Sequence, residues 1–409
     1  MKQTDDMSNV LAMLLAGGEG ERLHPLTRNR AKPAVPFGGM YRIIDMTLTN
    51  CLNSMCRKIC VVVQYKSLSL ERHIRYAWNI MHPELGEFIE IVSPQKRVSD
   101  HWYLGTADAV YQNLYSVNAE NPDLVLILSG DHIYKMNYRR MVQFHRESGA
   151  EITVGAIQTP LRDASRFGVL EIDRTNRIMG FEEKPDSPKP IPGQEDTALA
   201  SMGVYAFNPD VLREVCLEDS RRTGSHDFGK DILPWVIDAK KVYAYNFLDE
   251  NRKDPLYWRD VGTLEAYWEA NMDLIEVDPV FNLYDRQWPL RTRIPLAPPA
   301  KFVFADEGKR FGAAVDSIVS PGCIVSGGLV NRSVLSPNVR IHSYSRCDEC
   351  ILFDGVSVGR HARLRRTIVE KNVEIPRYTV IGYDAKEDAK RFHVTHSGLV
   401  VVEAKDFQK

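Results

Sequence analysis

A glycine-rich loop with cations close by is the first segment of this sequence whose residue types point to chemistry. The loop LAGGEGERLHPLT, residues 15–27, follows an apolar run and is expected to open a helix. Its glycines would let backbone N–H groups approach an anion closely, and Arg22 would add a positive charge for phosphate oxygens. With Lys32 in the same neighbourhood, an anion site is favoured over a tight turn without a ligand.

Two common phosphate-binding motifs do not fit this loop. A dinucleotide-binding fingerprint needs a third Gly or Ala at the position of Leu23. A Walker loop needs the tripeptide Gly-Lys-Ser or Gly-Lys-Thr, which this segment lacks. The loop therefore predicts an anion site of another kind.

The elements that would position this loop are short apolar strands that alternate with helical patterns. Such alternation predicts an α/β fold with a parallel sheet and helices on both faces. Ligands bind such sheets at the carboxyl ends of the strands, where the loops at 16–23 and 130–131 fall. The strand-like runs are 10–16, 58–65, 123–131 and 151–157, and the helical patterns cover 69–80 and 136–147.

The last hundred residues contain a repeat. The triplets SIV (317–319), SVL (333–335), CIL (350–352) and TIV (367–369) recur at offsets of 16, 17 and 17 residues. Each offset is close to three hexapeptides, which is one coil of three short strands, and this predicts a parallel β-helix. Between the two patterns, residues 275–300 are rich in Pro and turn formers and are expected to form a linker or strap.

Composition excludes several classes of protein. The chain has 409 residues and a formal net charge of −2, which argues against a dedicated nucleic-acid binder. Its apolar runs fall well short of the roughly 18 residues that a membrane span needs. Seven cysteines, an odd number on a long chain, favour a reducing compartment over a disulfide framework. With no export signal apparent, the expectation is a cytoplasmic protein without a membrane or nucleic-acid partner.

Longer motifs give a specific resemblance. The run GGEGERLHPLTRNRAKPAVPFGG (17–39) resembles the signature of sugar-phosphate nucleotidylyltransferases. Further segments narrow the resemblance to the bacterial-type ADP-glucose pyrophosphorylase (glucose-1-phosphate adenylyltransferase) family. They are YRIIDMTLTNCLNS (41–54), WYLGTADAVYQN (102–113), SGDHIY (129–134), FEEKP (181–185), ASMGVYAF (200–207), SHDFGKDILP (225–234) and YWRDVGTLEAYWEAN (257–271).

The resemblance implies a two-domain architecture and a reaction. A Rossmann-like nucleotidyltransferase domain with a mostly parallel sheet would cover residues 1–274. A linker at 275–300 would lead to a left-handed parallel β-helix at 301–409, used for oligomerisation and regulation. The expected reaction is Mg²⁺-dependent adenylyl transfer from ATP to glucose 1-phosphate, which gives ADP-glucose and pyrophosphate for α-glucan (glycogen) synthesis.

The resemblance also implies roles for matching positions. The ATP phosphates would be bound by the loop, the catalytic residues would be cations and one aspartate, and glucose 1-phosphate would bind elsewhere in the same cleft. The implied ATP-binding residues are Gly17, Gly18, Gly20, Arg22, Tyr103, Gly105 and Thr106; the catalytic residues are Arg22, Lys32 and Asp131; the metal ligands are Asp131 and Asp260; and the glucose-1-phosphate residues are Gly168, Glu183, Lys184 and Ser201.

Physical chemistry agrees with these roles, although each residue has a structural alternative. Nucleotidyl transfer needs no protein nucleophile, so catalysis consists of positioning and charge stabilisation. Carboxylates on two distant loops suit a hard metal ion. Taken alone, however, Asp131 could be a helix N-cap, Lys184 a solvated turn residue and Asp260 a surface partner of Arg259. Matching motifs at all three positions favour the functional interpretation.

Regulation is where this sequence departs from the family pattern. Members are commonly homotetramers with a metabolite activator and a nucleotide inhibitor. In members that respond to fructose-1,6-bisphosphate, a Lys and a His contact the activator, and the matching positions here are Asn29 and Pro36. The loss of two cations predicts a smaller or less charged activator. Residues implied in allosteric control are Arg42, Gln64, Trp102 and Arg365.

Three other functions remain open at this point. The same fold could use UTP or dTTP, although that would require a base-side segment other than GTADA. A hexapeptide β-helix is also typical of acyltransferases, but His342 and His361 lack a recognisable acyltransferase context. A non-catalytic regulatory subunit is disfavoured by the presence together of Arg22, Asp131, Lys184 and Asp260.

Overall fold

The computed structural model describes residues 6–95, 101–249, 255–306 and 310–407. Its amino-terminal part consists of strands and helices around one large sheet. The strands are β1 (Val10–Leu15), β2 (Pro36–Phe37), β3 (Tyr41–Arg42), β4 (Lys58–Val62), β5 (Phe88–Val92), β6 (Leu124–Ser129), β7 (His132–Tyr134), β8 (Ile152–Pro160), β9 (Gly168–Ile172), β10 (Ile178–Glu183), β11 (Thr197–Phe207), β12 (Val242–Asn246) and β13 (Trp258–Asp260). The α-helices are α1 (Ile43–Asn53), α2 (Leu68–Ala77), α3 (Thr106–Tyr111), α4 (Leu114–Glu120), α5 (Tyr138–Glu147), α6 (Pro209–Asp219), α7 (Leu233–Ala239) and α8 (Leu264–Asp273).

The large sheet has the strand order β10-β9-β11-β6-β1-β4-β5; in addition, β8 pairs with β11, and β12 pairs with β8. Strands β6, β1, β4 and β5 run parallel, as the sequence predicts, whereas β11 runs antiparallel to β6, β8 and β9. The predicted mostly parallel α/β sheet is therefore confirmed as a mixed sheet. Successive residues of β1 point to opposite faces and enter two separate apolar cores, which explains why this strand has no polar residue.

The glycine-rich loop does not open an α-helix, contrary to the sequence prediction. After β1 the chain forms two 3₁₀ turns, at Glu21–Leu23 and Lys32–Ala34, and α1 begins only at Ile43. Pro25 follows the first turn closely and has no N–H for continued helical bonding. An anion at this loop would therefore be bound by backbone N–H groups and nearby cations, without an α-helix dipole.

A small antiparallel ribbon brings two distant acidic segments together. Strand β7 pairs with β13 so that His132 lies opposite Asp260. Asp131 directly precedes β7, and it therefore lies next to Asp260 although the two residues are far apart in the sequence. This pairing is the local reason for the carboxylate cluster described below.

The carboxyl-terminal part is a parallel β-helix with three faces. Its strands are β14 (Lys301–Val303), β15 (Ala305–Asp306), β16 (Arg310–Phe311), β17 (Ala313–Val315), β18 (Ile318–Val319), β19 (Ile324–Ser326), β20 (Leu329–Asn331), β21 (Val334–Leu335), β22 (Arg340–Ile341), β23 (Arg346–Asp348), β24 (Ile351–Leu352), β25 (Ser357–Val358), β26 (Arg363–Arg365), β27 (Thr367–Val369), β28 (Glu374–Ile375), β29 (Val380–Ile381), β30 (His393–Val394) and β31 (Val400–Val402), with a short helix α9 (Ala385–Asp388) before the last two strands.

The strand pairing of this solenoid follows the sequence repeat. Ile318 pairs with Val334, Val334 with Ile351, and Ile351 with Ile368, which reproduces the predicted offsets. The aliphatic side chains stack into a continuous core, as the predicted left-handed parallel β-helix requires. Cys347 and Cys350 are both fully buried in these coils, so their spacing reflects packing.

The β-helix packs against the amino-terminal part of the chain through a shared apolar cluster, ion pairs and a connecting segment. Between α8 and β14 the chain forms no helix or strand, and polar contacts attach this segment to α1. At the other end of the solenoid, Arg30 makes a bidentate pair with Glu370 at 2.6 and 2.9 Å, and Arg28 pairs with Glu403 at 2.8 Å. Across the described ranges, no helix has the length and apolar character needed to cross a membrane.

Candidate active site

A cavity of about 980 Å³ opens at the carboxyl ends of β1, β4 and β6. These three strands are adjacent and parallel, so the loops that follow them meet at one edge of the sheet. The cavity wall includes many residues that the sequence analysis singled out. These are Gly17, Gly18, Gly20, Arg22, Lys32, Gln64, Tyr103, Gly105, Thr106 and Asp131.

Three charged side chains form a cluster at the floor of this cavity. The Lys32 Nζ lies 2.8 Å from Asp131 Oδ2 and 3.0 Å from Asp260 Oδ1. Burial alone would raise the pKa of both carboxyls, but the Lys32 ammonium and His132 hold these pKa values below the ordinary range. Burial would lower the pKa of Lys32, and the two aspartates raise it instead. All three groups are therefore charged at neutral pH.

The donor set at this cluster fits a divalent cation. One ligand atom each of Asp131, His132 and Asp260 lies within 4.8 Å of the others. Carboxylate oxygens are the ligands that Mg²⁺ prefers. The Nδ1 atom of His132 is buried without a hydrogen-bond partner, and the ring packs edge-on against Trp258 at 5.1 Å between centroids. The ring is thus held in place while Nε2 faces the carboxylates, at 3.6 Å from Asp131 Oδ1.

Two glycines of the glycine-rich loop, Gly17 and Gly20, lie close to their neighbours. A Cβ atom at Gly17 would lie 3.0 Å from Gln64 Cβ, and Gly20 has a φ of +65°. The Arg22 guanidinium extends across the cavity, where Nη2 would lie 3.2 Å from a Cβ at Gly262, close to Asp260. Arg22 of the glycine-rich loop therefore reaches the segment that carries Asp260.

The segment at residues 103–106 is fixed from two sides. The Gln64 side chain accepts a hydrogen bond from the Tyr103 N–H at 2.9 Å and donates one to the Tyr103 carbonyl at 3.2 Å. The Thr106 hydroxyl donates to Asp227 at 2.9 Å and accepts from the Phe228 N–H at 3.0 Å. These contacts hold the backbone of the segment along one wall of the cavity.

The four residues implied in glucose-1-phosphate binding lie beside the cavity, on the antiparallel side of the sheet. Gly168 and Glu183 are paired residues at the ends of β9 and β10, and Ser201 lies in β11. Lys184 follows β10 with a φ of +50°, and its Nζ lies 3.3 Å from Glu183 Oε1. A Cβ at Gly229 would lie 3.5 Å from Glu183 Oε2, and the neighbours of Gly229 on both sides line the cavity.

The four residues implied in allosteric control occupy different places. Gln64 lines the cavity, and Trp102 stacks on Tyr65 at 5.8 Å between ring centroids. Arg42 donates to the Ser69 carbonyl and hydroxyl at 2.9 Å, and burial together with nearby Arg30 lowers its pKa. Arg365 is exposed in β26, on the β-helix.

The structure adds wall residues that the sequence analysis left without a role. Tyr205, Asp227, Phe228 and Lys230 line the cavity. The last three belong to the quoted motif SHDFGKDILP, and Phe228–Ile232 forms a π-helix with Asp227 as its N-cap. π-Helical turns often occur at functional sites, so this turn is the feature that marks these residues as part of the site. Sequence periodicity does not reveal such a turn.

Comparisons with known proteins agree with this architecture. A nucleotidyl transferase family model matches residues 11–277, and a GlmU-like C-terminal hexapeptide model matches residues 298–402. Full-length relatives carry the name glucose-1-phosphate adenylyltransferase. The protein from Koribacter versatilis is 57% identical over 97% of this chain and 95% of its own length.

Two further relatives with that name are similar over nearly the whole chain. The protein from Rhodopirellula baltica is 55% identical over 97% of this chain and 90% of its own length. The protein from Methylococcus capsulatus is 50% identical over 96% of this chain and 93% of its own length. With the nucleotidyl transferase match to the sheet and cavity, these identities establish that the chain belongs to the glucose-1-phosphate adenylyltransferase family.

Proposed function

We propose that this protein transfers the adenylyl group of ATP to glucose 1-phosphate and releases ADP-glucose and pyrophosphate. The observation that carries the proposal is the single cavity that contains the glycine-rich loop, Arg22, Lys32 and Asp131, with Asp260 bonded to Lys32 at its floor. Two anionic substrates must meet in such a reaction, and a cavity with several cations suits both. ADP-glucose would serve as a glucosyl donor for α-glucan synthesis.

The chemistry requires positioning and charge stabilisation only. A phosphate oxygen of glucose 1-phosphate attacks the α-phosphorus of ATP, the new P–O bond forms, and the bond to the β-phosphate oxygen breaks. The loop N–H groups, Arg22 and Lys32 would bind the β- and γ-phosphates that leave as pyrophosphate. Glu183 and Ser201 would contact sugar hydroxyls, Lys184 would bind the sugar phosphate, and Gly168 would leave room beside Glu183.

Asp131 and Asp260 would hold a divalent cation, which we propose is Mg²⁺. Such an ion, when bound, neutralises charge that develops on the transferring phosphate group. Tyr103, Gly105 and Thr106 would contact the adenine side of ATP. A base-side wall for UTP or dTTP would need different contacts, so an assay with each nucleoside triphosphate separates these alternatives.

Regulation and assembly are further parts of the proposal. We infer a homotetramer with a metabolite activator and a nucleotide inhibitor, in which residues 1–274 catalyse, 275–300 connect, and 301–409 assemble and regulate. Arg42 would bind an anionic activator. Arg30 and Lys371 lie close enough to interact with its charge, at the place where the two parts of the chain meet. Gln64 and Trp102 would relay the signal to the cavity, and Arg365 would contribute from the β-helix.

The test of the proposal is the substitution Asp131→Asn. It removes one of the two carboxylates, so pyrophosphate release from ATP and glucose 1-phosphate should fall by at least about a hundredfold. The matched control is Asp123→Asn, because Asp123 lies in an exposed position just before the same strand β6. Near-normal turnover by Asp131→Asn, with its assembly state unchanged, would remove Asp131 from the mechanism. An acyl transfer to a sugar amine from acyl-CoA would favour the acyltransferase alternative instead.

A further inference from the structure

Lys32 fills the space between the two aspartates that we propose as metal ligands. Its Nζ contacts one oxygen of each carboxylate, at 2.8 Å from Asp131 and 3.0 Å from Asp260. The other oxygen of Asp131 accepts a hydrogen bond from the Ser129 hydroxyl. Lys32 is 7% exposed, so water contributes little to the balance of these charges. Without another cation, the ammonium keeps two neighbouring carboxylates from repelling each other.

A divalent cation held between the two aspartates would compete with Lys32 for carboxylate oxygens and for the space between them. Mg²⁺ binds oxygen ligands at about 2.0–2.1 Å with near-octahedral geometry. An ammonium in hydrogen-bonding contact with both carboxylates blocks that position, and two cations at the same oxygens would repel each other. The Lys32 side chain must therefore leave at least one aspartate when such an ion binds.

The displaced ammonium has an evident destination in the cavity. In the described part of the chain, the Lys32 ammonium bonds to the two aspartates, so a metal ion alone would leave this buried charge poorly compensated. Lys32 lines the cavity together with the glycine-rich loop and Arg22, where the proposed triphosphate would lie. The backbone of Lys32 belongs to a 3₁₀ turn and packs against Gly20, so the exchange requires rotation of the side chain only.

We propose that Lys32 is an exchangeable internal counter-ion. Its ammonium group leaves the aspartates when the metal ion binds and then contacts the triphosphate. Metal and triphosphate then bind cooperatively. The triphosphate compensates the ammonium that the metal ion displaces, and the metal ion compensates the aspartates that the ammonium leaves. By reciprocity, the nucleotide strengthens metal binding by the same factor as the metal strengthens nucleotide binding. The inference deepens the proposed function and rests on its assignment of the cavity.

Trace acetylation of lysines tests the displacement directly. Trypsin releases Lys32 within the peptide 31–42, because the Lys32–Pro33 bond resists cleavage. With Mg²⁺, against NaCl at equal ionic strength, acetylation of Lys32 should rise several-fold, and addition of ATP should reverse the rise. Lys66 is the internal control, since its Nζ bonds to the Thr27 carbonyl at 3.0 Å and to neither aspartate. Unchanged acetylation of Lys32 while Mn²⁺ is seen to bind would overturn the proposal.

Mn²⁺ binding measured by electron paramagnetic resonance without nucleotide tests the competition. Lys32→Met keeps the length of the side chain and removes the charge, so Mn²⁺ alone should bind more tightly than to the unsubstituted protein, by about 5–150-fold. Addition of ATP should strengthen Mn²⁺ binding much less in this variant, after correction for Mn²⁺ bound by free ATP. Lys32→Arg should retain weak binding, and Lys66→Met should match the unsubstituted protein.

Equal or weaker Mn²⁺ binding by Lys32→Met would contradict the exchange. Neither experiment measures turnover, so both remain informative if the protein uses another nucleotide. Failure of the proposed function would be seen separately, as absence of pyrophosphate release from the unsubstituted protein.

Discussion

At the scale of single residues, Gly105 shows how a missing side chain shapes the cavity. A Cβ atom there would lie 2.1 Å from the Ser225 carbonyl oxygen and 2.3 Å from that of His226. Its φ of −160° is open to any residue, so the need for glycine is steric. The close approach lets the N–H of Ala107 donate to the His226 carbonyl at 2.8 Å. At Gly105 the two walls of the cavity therefore meet backbone to backbone, beside the hydrogen bonds of the Thr106 hydroxyl.

Gly105→Ala should separate these walls. The added methyl group meets backbone atoms that cannot turn aside, so we expect a loss of about 1–3 kcal/mol in the free energy of unfolding. The KM for ATP should rise because the base-side segment moves. Denaturant unfolding and initial rates at varied ATP measure the two effects.

Gly18→Ala is the matched control for this steric argument. A Cβ at Gly18 would have no neighbour within 4 Å, so its free energy of unfolding should stay within about 0.5 kcal/mol of the unsubstituted value. If Gly105→Ala unfolds like Gly18→Ala, the steric role of Gly105 is wrong.

The sequence predicts the loop and Asp131 better than it predicts their partners. A strand that ends in Gly130-Asp131 indicates where that carboxylate lies, since ligands collect at the ends of parallel strands. Nothing local indicates that Lys32 bonds to Asp260, 228 residues further along the chain. That contact depends on the pairing of β7 with β13, two three-residue strands too short to give a periodic signal. From the sequence, Lys32 is assigned a catalytic role beside the glycine-rich loop, and no carboxylate partner is predicted for it.

At the scale of elements, a buried carboxylate holds α1, α2 and the connecting segment together. Asp45 in α1 is fully buried, and it accepts hydrogen bonds from the Trp78 indole at 2.8 Å and the Thr292 hydroxyl at 2.7 Å. His73 Nε2 lies 2.6 Å from the same carboxylate. Thr292 belongs to the segment that leads from α8 to the β-helix. The segment is therefore attached to the element that follows the glycine-rich loop.

Thr292→Val should weaken this attachment. Valine has the shape of threonine but removes one of the two hydrogen bonds that Asp45 Oδ2 accepts, the other coming from the Arg42 N–H at 2.8 Å. The loss of a hydrogen bond to a buried carboxylate costs about 1.5–3 kcal/mol of unfolding free energy. Thr175→Val is the control, because its hydroxyl donates to Asp173 over the same 2.7 Å on an exposed turn. Equal losses in thermal unfolding of the two variants would refute a special role for the buried contact.

Element types were more predictable than their directions. Apolar runs indicated β1, β4 and β6, because strands buried on both faces carry few polar residues. The antiparallel direction of β11 follows from how the chain returns across the sheet after β9 and β10, and no residue pattern within β11 encodes it. The expected helix after the glycine-rich loop was wrong because Pro25 ends the first turn.

At the scale of the whole molecule, charges from both parts of the chain meet beside Arg42. Arg30 is paired with Glu370, and Lys371 lies 2.8 Å from Asp354. Burial lowers the pKa of Lys371, as do nearby Arg42 and Arg30. An anionic effector at this junction would therefore contact both the catalytic part and the solenoid.

The proposed activator specificity can be tested at this junction. Fructose-1,6-bisphosphate at micromolar concentration should activate weakly, since Asn29 and Pro36 supply no charge for a second phosphate. Asn29 is exposed, so Asn29→Lys should fold normally and increase the response to the bisphosphate. Rates with and without effector measure this, and Asn176→Lys on a distant turn is the control. Strong activation of the unsubstituted protein by the bisphosphate would sink the hypothesis.

The pairing of Arg28 and Arg30 with Glu403 and Glu370 has a consequence for the evolution of this chain. Adjacent strands in a sheet lie about 4.8 Å apart, so one added or deleted coil would shift the final coils by that distance along the solenoid axis. Such a shift would carry both glutamates out of reach of their arginines. A parallel β-helix can grow or shrink by whole repeats with little internal cost. Here the number of repeats is limited by the amino-terminal part of the chain. It must match the distance between the two arginines and the site on α1 where the connecting segment is attached.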